Sequence, residues 1–339
     1  DLPNGFDFDT AITLRLLENG DRIAEVAIPT HYGDEICRVN GMRYAKNVAL
    51  TTMQFKMHQW GMLCSLKFRD LTPVRYEDKT SQMYSSHAVA LKLVEAQRPR
   101  TLLDIGCGPG FIARQCQALG VEVTGLDVHE PMPGSMAHFH RINLESNQFP
   151  VDPFAYDAVL LLDVLEHLAD PERFLIDLRN RSHALVPMTV DAGDASTRSH
   201  TRTVSPRLII STPNVAFAAM RLNLLLGRFN YAERGILDIS HKRLFTRRSL
   251  LRCLRDSGYV VEKVDKAAVP FEAVMGGNAG KLLGRLAGLL ASAWPTMFAF
   301  QFVVVCRPLP GTRQLLASSE RMLVPGTPAM KAVGFDSPT

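Results

Sequence analysis

From about residue 85 onward the chain alternates between two hydrophobic rhythms. Thr101–Ile105, Val121–Leu126, Ala158–Leu162, Arg207–Ser211, Tyr259–Val264 and Phe298–Val305 are short, nearly continuous apolar or β-branched runs, as expected of strands buried on both faces. A further strand is expected near Phe139–Asn143. Between these runs, Ser86–Gln97, Phe111–Leu119, Asp170–Leu178, Val215–Leu226, Thr246–Ser257 and Lys281–Ala293 place apolar residues at helical spacing. Strands alternating with helices predict an α/β fold, a mostly parallel doubly wound sheet of Rossmann-like type. The last two strands are expected to form an antiparallel edge. The uncharged stretch Leu286–Cys306 is long enough to span a bilayer. Pro295 divides it into a helix-like and a strand-like half, however, and it reads as a helix followed by a buried strand.

The flanks differ. Residues 1–65 form one unit: a helix over Thr10–Glu18, a strand over Arg22–Ile28, a polar turn at His31–Glu35 and a long helix over Met42–Trp60. Residues 66–83 are polar and read as a linker, which leaves 84–306 as the main domain. Within it, residues 179–206 are rich in Ser, Thr, Arg and Asp and are expected to be a flexible insertion. Residues 307–339, punctuated by Pro, Ser and Gly, are expected to be a disordered tail. The chain opens in mid-pattern on Asp1-Leu2-Pro3 without a Met, so a longer natural protein is expected.

Composition narrows the function. The 339 residues carry 38 basic and 34 acidic side chains, a net charge of +4. That balance does not favour a nucleic-acid partner, which needs clustered cations. Six scattered cysteines without a CxxC pair suggest neither a zinc site nor a disulfide framework, and point to a reducing, cytoplasmic setting. The long helix Met42–Trp60, with Lys46, Lys56 and His58 among apolar residues, leaves open a peripheral contact with the inner membrane face.

The candidate chemistry begins at Leu103-Asp104-Ile105-Gly106-Cys107-Gly108-Pro109-Gly110, where a strand ends and a helix opens. Glycines there let a ligand approach the backbone and permit positive φ. The next strand ends at Asp127, about 20 residues beyond the loop, where a carboxylate can accept from both ribose hydroxyls. Another strand ends in Leu162-Asp163-Val164-Leu165-Glu166-His167. A nicotinamide dinucleotide normally meets GxGxxG, with its pyrophosphate on the helix end. Here the spacing is GxGxG, and Asp104 just before it would repel a pyrophosphate but suits the ammonium of an amino acid. S-adenosylmethionine has such a tail and no phosphate.

The motifs LDIGCGPG, LDVHE and LLDVLEHLADP, with Ile210–Asn214 and ILDISHKRLFT, resemble the ordered motifs of class I S-adenosylmethionine-dependent methyltransferases of the type 11/23 kind. The resemblance covers about two thirds of the chain. It implies that Asp104, Gly106 and Gly108 line the methionine moiety, with Cys107 and Gly110 in the same loop. It further implies that Asp127, beside Val128, holds the ribose, and that Asp163 and Val164 lie near the adenine or sulfonium edge. Asn143 stands where the family often has an Asp near the adenine. Methyl transfer from a sulfonium requires the acceptor to be held in line, and a hydroxyl acceptor needs a base. His241 or His167 is the candidate base, with Asp238 orienting or binding the acceptor. In spacing, Asp163, Glu166 and His167 also resemble the acidic-His cluster by which some related O-methyltransferases hold a divalent cation. No metal is assigned, because three ligands on one short segment are sterically awkward. Phe217, Met220, Leu224, Phe229 and Tyr231 are candidates for an acceptor wall or simple core.

Gly5–Thr10, Glu25–Glu35 and Val39–Val48 resemble the C-terminal end of family 2 glycosyltransferases of the dolichol-phosphate-mannose-synthase kind. That implies a GT-A remnant of α+β type, without the nucleotide-sugar half, fused in front of the methyltransferase. The expected function is therefore O-methylation of a glycan, glycolipid or isoprenoid-type acceptor. The alternatives are a glycosyltransferase whose Rossmann-like domain only binds, or a nicotinamide oxidoreductase.

Overall fold

A computed structural model of the chain describes residues 8–24, 26–27, 29, 40–59, 66–68, 78, 80, 84–146, 149–181, 206–232, 235–269, 271 and 277–311. Seven strands form one sheet in the order β3-β2-β1-β4-β5-β7-β6: β1 Thr101–Ile105, β2 Glu122–Asp127, β3 His138–Arg141, β4 Ala158–Leu162, β5 Arg207–Pro213, β6 Tyr259–Ala267 and β7 Gln301–Pro308. The first five pair in parallel; β7 inserts antiparallel between β5 and β6. The helices are α1 Phe8–Glu18, α2 Gly41–Gln59, α3 Ser86–Gln97, α4 Phe111–Ala118, α5 Pro171–Asn180, α6 Ala218–Leu225, α7 Arg247–Asp256, α8 Gly277–Ala293 and the single turn α9 Pro295–Phe298.

The apolar runs are continuous because both faces of the sheet are covered. Successive side chains of a strand point to opposite faces. Leu103, Val159, Leu161 and Ile210 join one core with Phe174 and Leu175 of α5 and Leu250 and Leu254 of α7. Leu102, Leu160 and Ile209 join the other with Ala90 and Val94 of α3 and Ile112 and Cys116 of α4. The starts of β1 and β4 are clamped by Asp157, whose Oδ2 accepts from the backbone N–H of Arg100 (2.7 Å) and Thr101 (3.0 Å). Caps set the helix starts: Ser85 Oγ accepts from Ala88 N, Asp170 from Arg173 N, and Thr246 and Ser249 form a reciprocal capping box. The four described cysteines, Cys107, Cys116, Cys253 and Cys306, are free and buried.

Some expectations are corrected. Residues 22–24, 26 and 27 of the expected strand Arg22–Ile28 have no strand pairing. Leu66–Phe68, in the expected linker, forms a 3-10 turn that buries Phe68 against Phe55 of α2, with ring centroids 5.1 Å apart. Phe298 closes α9 instead of opening the last strand, and Pro308 ends β7 instead of opening a tail. Arg179 and Asn180, the start of the expected insertion, complete α5. Residues 182–205 and 312–339 and the turn His31–Glu35 lie outside the described residues, so the expected insertion and tail are left there. No helix among the described residues is long and apolar enough to cross a membrane.

Leu160 is fully buried in the central β4. Leu160→Ala is expected to cost about 2–5 kcal/mol of unfolding free energy by urea denaturation, because the sheet cannot collapse into the void.

Candidate active site

From β1 the chain goes on to β2 on one side, and from the adjacent β4 to β5 on the other, so the connections that follow β1 and β4 run in opposite directions. That switch point is where open α/β sheets bind ligands. A cleft of about 520 Å³ opens there, within the usual range for small-molecule sites. It is lined by Asp104, Gly106, Cys107, Gly108, Asp127 and Val128 from the first two strand ends. Asn143, Asp163, Val164, Glu166 and His167 continue the wall, and Asp238, Ser240 and His241 close it.

The glycine turn is held by backbone bonds from Gly106 N and Cys107 N to Leu126 O, at 2.7 and 3.3 Å. Gly106 has φ 76°, and a Cβ there would stand 2.5 Å from Val164 Cγ2, so the turn can lie against the loop after β4 only without a side chain. Gly108, with φ 51°, gives its N–H to Asp127 Oδ2 at 2.8 Å, and His129 N gives its own to Oδ1 at 2.9 Å. Asp127 is thus fixed at the cleft edge before any ligand arrives. Gly110 corrects the sequence reading. It is the N-cap of α4 with φ 84°, off the cleft wall, and a Cβ on it would strike Ser135.

Asp104 is 2% exposed, and its Oδ2 has no hydrogen-bond partner. Burial, helped by the charge of Asp127, pushes its pKa up to about 7. An orphaned carboxylate beside a bare backbone turn fits a ligand with a positive, hydrogen-bonding end. Among the described residues that line the cleft there is no Arg, and Lys242 is bound to Glu145 Oε1 at 2.7 Å, which leaves little there for a pyrophosphate.

Asp163 lines the cleft but does not fit the cation cluster that its spacing suggested. It adopts φ 55°, which is strained for a residue with a side chain. Its carboxylate accepts from Ser211 Oγ at 2.5 Å and from Gln301 Nε2 at 3.1 Å. It therefore does not join Glu166 and His167 as the third member of a cation cluster. His241 takes that position instead: Glu166, His167 and His241 bring ligand-type atoms within 4.8 Å of one another. The contact is built by the backbone, since Glu166 O accepts from Lys242 N (2.8 Å) and Arg243 N (3.0 Å) and so pins the His241 loop to the loop after β4. Glu166 is 1% exposed, and neither of its carboxylate oxygens has a hydrogen bond of good geometry, although the buried Thr212 hydroxyl lies close enough to favour its charged form. Burial, then the charges of Asp163 and Asp238, push its pKa well above the usual carboxylate range.

The two imidazoles meet edge to face, 4.8 Å between centroids. His241 Nδ1 lies 3.0 Å from Ile236 O, an acceptor only, which assigns the proton to Nδ1 and leaves Nε2 basic. Ser240 Oγ donates to Asp238 Oδ1 at 2.6 Å and lies 3.2 Å from His167 Nδ1, so the same tautomer follows for His167. Partial burial and the neighbouring His241 lower the pKa of His167, which keeps it neutral at pH 7. Ser240 was not singled out from the sequence, although its place two residues after Asp238 is an Asx-turn signal. Gln301 and Ser211 carry no local signal. Asn143 lines the cleft and turns its Oδ1 to Glu145 N at 3.0 Å. Phe217 and Met220 are buried in a separate cluster, while Leu224, Phe229 and Tyr231 are exposed; none lines the cleft.

A glycine turn, a preset strand-end carboxylate and a buried acidic residue before the turn share one cleft at the carboxyl ends of a Rossmann-like sheet. The model of the family described as a methyltransferase domain matches residues 81–264, more than half of the chain. The chain belongs to that family, whose methyl donor is S-adenosylmethionine. Ubiquinone biosynthesis O-methyltransferase of Dinoroseobacter shibae is 33% identical over 120 residues, 32% of this chain and 48% of that protein. The protein of the same name from a Ruegeria species is 33% identical over 113 residues, 31% and 46% of the two chains. The match thus spans about half the length of these relatives. The solved magnesium protoporphyrin IX methyltransferase from Synechocystis PCC 6803 covers 77% of this chain and 100% of its own at 14% identity and a TM-score of 0.43. That score adds nothing to the family assignment. The match begins at residue 81, so it lends nothing to the glycosyltransferase resemblance of residues 1–65.

The raised pKa of Asp104 has a measurable consequence. Its folded value of about 7 lies above the unfolded one, so the stability it contributes when protonated is lost as pH rises from about 4 to about 7. Without ligand, Asp104→Asn is expected to be more stable than wild type at pH 8, with the difference shrinking toward pH 5 by about 1.4 kcal/mol per pH unit below 7. Urea titrations across that range would show it; a constant difference would overturn the assigned shift.

Proposed function

We propose that this protein methylates a hydroxyl of an apolar acceptor of isoprenoid or glycolipid type, with His241 or His167 as the base. The observation that carries the reading is the pair of imidazoles with free Nε2 atoms on the cleft wall, in the same cleft as Asp104 and Asp127. Similarity to ubiquinone O-methyltransferases over a third of the chain favours an oxygen acceptor. The resemblance of residues 1–65 to a glycosyltransferase end keeps a glycolipid within the same proposal.

S-adenosylmethionine, when bound, supplies a methyl group on a sulfonium. In this reading the orphaned Asp104 Oδ2 accepts from the amino-acid ammonium, and Gly106 and Gly108 leave the backbone open beside it. Asp127, preset by its two backbone bonds, accepts from the ribose. Cys107, Val128, Asn143 and Val164 complete the walls. Asp163, occupied by Ser211 and Gln301, positions the loop after β4. On the acceptor side, Nε2 of a histidine takes the hydroxyl proton as the oxygen becomes a nucleophile. Asp238 acts through Ser240, whose hydroxyl holds the His167 ring. Because each ring already has one nitrogen committed, little reorganisation accompanies the proton transfer.

His241→Ala is expected to lower kcat by roughly a hundredfold or more, with S-adenosylmethionine affinity by calorimetry nearly unchanged. His167→Ala is expected to do the same if its ring is the base. Full turnover in both variants would remove the base assignment.

A second reading is favoured by the Glu166–His167–His241 cluster. A buried carboxylate without a hydrogen bond of good geometry, beside two imidazoles whose other nitrogens are engaged, is what a divalent cation site requires. In that reading Mn²⁺ or Zn²⁺ raises the melting temperature of the wild type and leaves Glu166→Gln unmoved, and a chelator abolishes turnover. Turnover indifferent to chelation would leave the histidines as bases.

A further inference from the structure

Helix α8 is packed inside out. A surface helix of a globular protein turns its leucines to the core and its small or polar residues to water. Here Gly280, Gly284 and Ala291 face inward and are buried. Gly288 lies so close to Tyr84 that a Cβ would stand 2.9 Å from its ring. The large residues point out: Leu282 is 60% exposed, Leu286 48%, Leu289 68%, Leu290 48%, and Trp294 just beyond the helix 57%. The glycines let the helix approach the sheet while its oily face stays outward.

The same face is cationic. Lys281 and Arg285 flank these leucines with no ion pair among the described residues, and no Asp or Glu occurs from Ala273 to Gly311. Helix α6 repeats the pattern. Leu222 (56%), Leu225 (82%) and Leu226 (58%) are exposed beside Arg221 and Arg228, and no carboxylate occurs from Asn214 to Ala232. The two helices meet at α9, where Arg221 Nη2 donates to Thr296 O at 3.4 Å and Phe217 packs edge-on to Phe300 at 5.7 Å.

We propose that the outer face of α8, continued by α6, docks the protein on an anionic lipid bilayer. Leucines enter the acyl boundary, a tryptophan sits at the interface, and cations meet lipid phosphates. Charge selects this occupant over a second copy of the chain. A second copy would bring the same helix, itself without a carboxylate, up to this one, so Lys281 and Arg285 would meet no counter-charge on it. α8 lies on the membrane without crossing it. Phe300 and Gln301, just beyond α9, line the cleft, so the chain runs directly from the docking helices into the cleft wall. Delivery of an apolar acceptor from the bilayer rests on the function proposed above; the docking itself does not.

The test is flotation of the full chain with vesicles of phosphatidylcholine, alone or mixed with phosphatidylglycerol. Binding is expected to the mixed vesicles only and to weaken with salt. Leu286→Gln with Leu289→Gln is expected to reduce it roughly tenfold or more. Arg285→Gln is expected to reduce it about fivefold, the equivalent of the ~1 kcal/mol a basic residue contributes at an anionic surface. Melting temperature and S-adenosylmethionine affinity of each variant, measured alongside, show that it is folded. Absence of binding to the mixed vesicles would overturn the proposal, as would binding unchanged in the double-leucine variant. So would a dimer, seen by light scattering, that this variant dissociates while vesicle binding persists. A protein that binds S-adenosylmethionine but no vesicle would sink the docking alone and leave the methyltransferase reading intact.

Discussion

The site depends on one close approach: the turn after β1 lying against the loop after β4. Gly106 makes it possible, because any Cβ would collide with Val164. Everything else in the cleft is placed relative to that contact. It sets the depth at which Asp104 is buried, and it brings Gly108 N to the carboxylate of Asp127. On its far side it leaves Asp163 in a left-handed conformation whose cost is offset by Ser211 and Gln301. Through the next turn it directs Glu166 O toward the loop that carries His241. The cleft is thus assembled from backbone, and its side chains inherit their positions.

A second constraint is electrostatic. Three carboxylates, Asp104, Asp163 and Glu166, crowd the ends of β1 and β4, and two of them are buried with oxygens unpaired. A fold selected for stability alone would not bury two orphaned acids, since each costs a desolvation penalty and raises its own pKa. Both face the same cleft, which gives the penalty a use. A positive ligand would favour the charged form of Asp104, and a cation would do the same at Glu166. Stability is stored at the site in a form that binding releases.

Most of the fold was legible because it follows from burial. Strands covered on both faces are mostly apolar, as Leu102, Leu103 and Ile105, Ala158–Leu162 and Leu208–Ile210 are. The grouping of the glycine turn with the strand-end acids in one cleft was legible for a related reason: these residues are local in sequence, and their spacing carries the geometry. Gly110 was misplaced because a glycine needed for a helix cap looks the same as one needed for a ligand. The acceptor half was less legible. Its key relation, His167 against His241, joins residues far apart in sequence through two backbone bonds to Glu166 O, and no pattern of side chains encodes a backbone carbonyl. Gln301 was invisible for the same reason, since it reaches Asp163 only because β7 inserts two strands away from β4. The strand expected at Arg22–Ile28 failed because alternation alone does not supply a pairing partner.

The histidine pair shows how the two halves constrain each other. If His241 Nδ1 were free to exchange roles with Nε2, the ring could as well donate as accept, and a base would be available only part of the time. Ile236 O removes that freedom, and the Ser240–Asp238 relay does the same for His167. Both rings then offer lone pairs to a single region, beside a carboxylate whose charged form burial disfavours. In the two readings proposed above, such a set takes one positive species, either the proton of a hydroxyl or a metal ion. A lone hydroxyl held in the cleft would call for a base; a second acceptor oxygen able to chelate would favour the ion. The geometry of the protein is the same in both cases, so the chemistry of the acceptor is the remaining variable.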